Sequence, residues 1–138
     1  MVLPGIQALF GFQLIAVFNQ GFSEKLSVGE QQLHLVSIIL VMIAVALVMA
    51  PAALHRELEP LSVSARFVRI ASGLLLLSML PLAISLSLDL YLIARVILNS
   101  KKWGLCFAAF LFTLFLILWL GLPLKERHRR RQPARARF

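Results

Sequence analysis

Asp89 is the only acidic side chain inside any of the long apolar runs of this 138-residue chain, and any chemistry in those runs starts there. A charge at the middle of a bilayer costs about 2.5–3.5 kcal/mol on insertion scales, so such a residue needs a reason. Ser78, Pro81, Ser85 and Asp89 follow i, i+3, i+4 spacing and share one face of a helix. Pro81 brings no N–H and leaves a carbonyl one turn earlier for another group to satisfy. The stripe has two readings. One is a proton or cation relay, with Asp89 as the binding carboxylate and Ser85 and Ser78 along the path. The other is a carboxylate near the outer end of its helix, paired with solvent, Lys101 or Lys102.

The remaining polar residues of the apolar runs carry blander expectations. Gln7 and Gln13 are six apart and do not share a helix face, whereas Gln7 and Gly11 do. Each glutamine is expected to make an interhelical hydrogen bond, worth about 0.6 kcal/mol in membrane bundles, or to line a polar cavity. His34 and His55 bracket one apolar run at opposite ends, too far apart to share a metal, and are read as solvated. Cys106, the single cysteine, is read as a small buried or lipid-facing side chain. No catalytic motif, metal-ligand cluster or cofactor fingerprint emerges. Four-helix membrane enzymes need paired carboxylates or histidines at helical spacing, and here one carboxylate stands without such a partner. The chain is therefore expected not to be an enzyme and to carry no cofactor.

The elements that must position these residues follow from composition. The chain is 60% hydrophobic with a mean hydropathy of +0.89, and only 14% charged. Soluble domains run at about 45–50% apolar and 25% charged, so this chain lacks the polar groups to cover a globular surface. About 20 residues cross a bilayer as a helix. The apolar runs predict an all-α fold, a four-transmembrane-helix bundle with up-down order, over residues 1–124. Its spans are expected at about 2–18, 33–54, 67–98 and 103–124. The first is the weakest, short and interrupted by its glutamines, and Asn19-Gln20-Gly21 ends it. It lacks a basic flank and a small-residue cleavage site, so it reads as a retained helix and not as a signal peptide. Ala46, Ala50 and Ala53 form one small-residue stripe, and Gly104 and Ala108 begin another. Both are expected to be packing surfaces.

Net charge is +8, and half of the fourteen Lys and Arg residues fall in the last fourteen positions. That segment, 125–138, has no apolar periodicity and is expected to be a disordered basic tail. Arg127, Arg129, Arg130 and Arg131 are its candidate contacts to anionic lipid headgroups, at about 1 kcal/mol per basic residue near the surface. Nucleic acid is not needed to explain this charge. Arg56, Arg66 and Arg69 lie on the same side as the tail, while Lys25, Arg95, Lys101 and Lys102 lie on the other. The bias predicts a multi-pass protein of the cell membrane with its N- and C-termini in the cytoplasm.

Several stretches carry a resemblance: Leu3-Pro4-Gly5-Ile6-Gln7 at the start, Ala50-Pro51-Ala52-Ala53-Leu54-His55-Arg56 after the second run, Phe67-Val68-Arg69-Ile70-Ala71 opening the third, and Leu118-Trp119-Leu120-Gly121-Leu122-Pro123 closing the fourth. Together they resemble a bacterial family of small four-helix integral membrane proteins of unknown function. Some members carry an automatic sodium:proton antiporter label. The resemblance implies the fold and a plasma-membrane location, and brings no ligand-binding residues with it. Two functions are expected from the whole reading. The first is a non-enzymatic structural or accessory subunit, with the bilayer and a homo-oligomer or membrane partner around it. The second is a small proton- or cation-coupled transporter that uses Asp89.

Overall fold

The computed structural model of the chain describes residues 2–58 and 64–121. Among these the fold is all helical: α1 (Val2–Val17), α2 (Gly21–Lys25), α3 (Val28–Leu58), α4 (Ala65–Leu98) and α5 (Lys101–Leu116), the last continued by a π-helical turn, Ile117–Gly121. Three helical segments are long and apolar enough to cross a membrane: Val28–Arg56, Ala65–Leu98 and Lys101–Trp119. α1 is apolar but short. Its 16 residues reach about 24 Å, less than the roughly 30 Å of a bilayer's hydrocarbon core. α3 and α4 exceed that thickness, so in a bilayer they tilt or project. The tail residues 125–138, and with them Arg127, Arg129, Arg130 and Arg131, lie outside the described residues.

Local chemistry sets the helix ends. Asn19 Oδ1 accepts from Gly21 N at 3.0 Å and turns the chain out of α1. α3 begins five residues earlier than hydropathy alone suggests, because Ser27 and Glu30 form a cap. The Glu30 carboxylate accepts from both the Ser27 N–H and the Ser27 hydroxyl, each at 2.8 Å. Ser64 caps α4 through its side chain, which accepts from Phe67 N at 3.1 Å. Asn99 ends α4 in the left-handed region at φ 47°, a conformation asparagine tolerates well. One residue later α5 begins.

α3, α4 and α5 pack side by side, and α1 leans on α3. Residue pairs between α3 and α4 run in opposite directions, from Glu30–Arg95 through His34–Asp89 and Ser37–Ser85 to the His55–Phe67 ring contact. The two helices are therefore antiparallel. Gly104 lets α5 close on α4: a Cβ there would stand 3.0 Å from the Tyr91 carbonyl oxygen and 3.3 Å from Arg95 Cβ. Gly104 and Ala108 are both buried in this contact. The other small-residue stripe does not act this way. Ala46 and Ala53 are exposed and Ala50 is half-buried, so that face of α3 is not a closely packed surface among the described residues.

Candidate functional site

The buried centre of the molecule is unusually polar for so apolar a chain. Val41 and Ala44 of α3 and Ala83 of α4 are buried, but so are Gln13, Glu30, His34, Ser37, Ser78, Ser85 and Ser87. Helical geometry puts His34, Ser37, Val41 and Ala44 on one face of α3 and Ser85 and Asp89 on one face of α4. The antiparallel pairing brings these faces together. α1 supplies Gln13 from the third side.

Asp89 is the hub. Its Oδ1 accepts from the Ser37 hydroxyl at 2.8 Å and its Oδ2 accepts from Gln13 Nε2. Ser37 and Ser85 share a hydroxyl–hydroxyl bond at 2.7 Å, and Gln13 Nε2 also lies 2.8 Å from Ser37 Oγ and 3.2 Å from Ser85 Oγ. A consistent direction runs from Ser85 to Ser37 to Asp89, with Gln13 as a second donor. Two amide hydrogens face three acceptors, so one of these contacts is always unfilled. Gln13 Oε1 is buried and has no hydrogen-bond partner among the described residues.

His34 completes the cluster. Its Nε2 lies 3.1 Å from the backbone carbonyl of Gln13, which can only accept, so Nε2 carries a hydrogen. Its Nδ1 then faces Asp89 Oδ1 at 3.5 Å. A neutral imidazole would turn a lone pair against a carboxylate there. One added proton, on Nδ1 or on the carboxyl, makes the contact favourable. The pair is thus built around a proton. Among the described residues no third His, Cys, Asp or Glu joins it in a metal-ligating group.

Two turns along α4 from Asp89 a second charged group ties the helix ends together. Arg95 Nε meets Glu30 Oε1 at 2.6 Å, and Arg95 Nη1 donates to the Lys25 carbonyl at 2.8 Å. α2 is thereby held against α4. Between α1, α2 and α4 lies a cleft of about 530 Å³. Leu9, Phe12, Phe22, Leu90 and Ile93 contribute its apolar walls, and Gln13, His34 and Asp89 also line it.

These positions correct several expectations. Asp89 bonds to Gln13, Ser37 and His34, not to Lys101 or Lys102, because the α3–α4 register places it opposite His34. Ser85 belongs with it. Ser78 does not: it is buried, but its hydroxyl donates to the Leu75 carbonyl of its own helix at 2.7 Å. His34 is buried against Asp89, not solvated. Gln13 does bond between helices, whereas Gln7 is exposed. His55 stacks edge-on against Phe67, and Cys106 is exposed on α5. The Glu30–Arg95 pair escaped the sequence reading, although Ser27-Val28-Gly29-Glu30 carries the S-x-x-E signature of a helix start.

No curated protein and no solved structure matches the chain. A family model does match, over residues 1–123, and by that match the chain belongs to a family of unknown function, DUF6328.

Proposed function

We propose that this protein is a proton-coupled transporter of the cell membrane, in which Asp89 and His34 hold the exchanged proton. The observation that carries the reading is the 3.5 Å His34 Nδ1–Asp89 contact, a largely buried pair whose geometry calls for one added proton. In this reading α1 crosses the bilayer with α3, α4 and α5 as an up-down four-helix bundle, with both termini cytoplasmic and the basic tail against anionic headgroups. Ionisable residues within membrane helices mark proton relays and ion paths more often than scaffolding. Among the described residues, the groups facing the pair are Gln13 from α1, Ser37 from α3 and Ser85 from α4. Lys25 of α2 lines the adjoining cleft, and Arg95 is engaged by Glu30.

The test is proton movement in proteoliposomes that enclose a pH-sensitive dye and carry an imposed pH gradient. Adding sodium, potassium or an organic amine outside should collapse the gradient for at least one solute, and Asp89→Asn should abolish that response. His34→Gln should slow it or shift its pH profile. A structural or accessory subunit, the other expectation from sequence, gives a different outcome. There the cluster serves only helix association, so Asp89→Asn changes stability while no solute moves protons through the wild-type protein.

A further inference from the structure

The cleft beside the proton site has a composition of its own. Its walls are apolar and come from α1, α2 and α4, while its polar end is made by Gln13, His34 and Asp89. Its volume of about 530 Å³ lies within the range of sites that bury a small organic molecule. Phe12 and Ile93, which line it, are 70% and 56% exposed, so in a bilayer lipid reaches the cleft. A bare inorganic cation would find too few oxygens on these walls to replace its hydration shell. Asp89 supplies a negative charge at the polar end, and the exposed Lys25 also lines the cleft.

An apolar cleft ending in a carboxylate fits a cation with both a greasy body and an N–H. We infer that the cleft binds lipophilic amines in their protonated form, with the ammonium donating to Asp89 and the apolar body lying between Phe12, Phe22 and Ile93. The inference rests on the proton-coupled reading and names its substrate class. Charge balances without a further reactant: the arriving ammonium replaces the positive charge of the proton shared by His34 and Asp89, and that proton leaves to solvent. A carboxylate acceptor at the polar end selects against quaternary ammonium ions, which bring charge without a donor. Entry from the lipid side suits a molecule that partitions into the bilayer first.

The experiment uses the full chain in lipid nanodiscs and three probes: phenylbutylamine, its trimethylammonium counterpart and phenylbutanol. Calorimetry in two buffers of different ionisation enthalpy reads affinity and proton release together. The amine should bind with release of protons, and the other two should bind about tenfold or more weakly, as the loss of a charge-assisted hydrogen bond implies. Asp89→Asn should weaken the amine about tenfold or more and abolish proton release. Equal binding of all three probes would show an apolar sink and overturn the inference, without requiring any variant to fold. So would a dimer in which Phe12 and Ile93 are shielded by a second copy and no probe binds. If sodium or potassium collapses a pH gradient in an Asp89-dependent way while no amine binds, the substrate class falls and the proton site stands. If Asp89→Asn alters neither measurement, both fall.

Discussion

Arg95→Met tests the architecture most sharply, because it removes one partner of a buried pair and leaves the other in place. The Glu30 side chain is 6% exposed and that of Arg95 is 23% exposed. Breaking a buried pair from one side costs about 3–5 kcal/mol, since the remaining charge is stranded. Two features pull the value toward the lower end here. Glu30 keeps both of its bonds to Ser27, and it can take up a proton, which caps the penalty. Arg95 also loses its bond to the Lys25 carbonyl, worth about 1 kcal/mol. The expected cost is therefore about 3 kcal/mol. Glu30→Gln alone should cost about 1–2 kcal/mol, because the amide still reaches Ser27 but accepts more weakly. The double variant should be little worse than Arg95→Met, giving a coupling of about 1–2 kcal/mol. The assay is reversible unfolding in mixed micelles with increasing denaturing detergent, followed by far-ultraviolet circular dichroism. Strict additivity of the two single variants, within about 0.5 kcal/mol, would refute the pairing.

Three further outcomes follow from packing and capping. Ser37→Ala should destabilise by about 1–3 kcal/mol, since it strips Asp89 and Ser85 of a shared partner, while Ser78→Ala should stay within about 0.5 kcal/mol; the same unfolding assay separates them. Gly104→Leu should cost about 1–3 kcal/mol or more and move α5 off α4, read as the loss of a crosslink engineered between the two helices, because the Tyr91 carbonyl leaves no room for a side chain. Ser64→Ala should cost about 0.5–2 kcal/mol and speed hydrogen exchange in the first turn of α4, where the Phe67 N–H loses its cap.

The long apolar helices were legible because their signal is one of composition over some twenty residues, and lipid demands little more. Asp89 was legible for the same reason in reverse, as the residue that breaks the pattern. Its partners were not. Gln13 lies 76 residues away along the chain and meets Asp89 only through the way α1 leans on α3. His34 stood at the edge of its apolar run, where a solvated histidine is the ordinary outcome. What moves it inside is the extension of α3 back to Val28, and that extension depends on the Ser27–Glu30 cap. The cap was readable in four residues. Ser78 misled for a simpler reason: sharing a face with Ser85 and Asp89 says nothing of whether a serine will turn back to its own helix.

The place of Gln13 bears on how the molecule is put together. α1 is synthesised first, yet the groups that satisfy its glutamine amide are residues 37, 85 and 89. Until α3 has been made that amide has no protein partner, and until α4 has been made it lacks two of its three acceptors, so a short helix carrying it is a poor candidate for early stable insertion. α1 thus leaves the ribosome before α3 and α4 but is fully seated only once they are in place. Its docking closes the polar centre behind it, so the site is completed only when α1, α3 and α4 have come together.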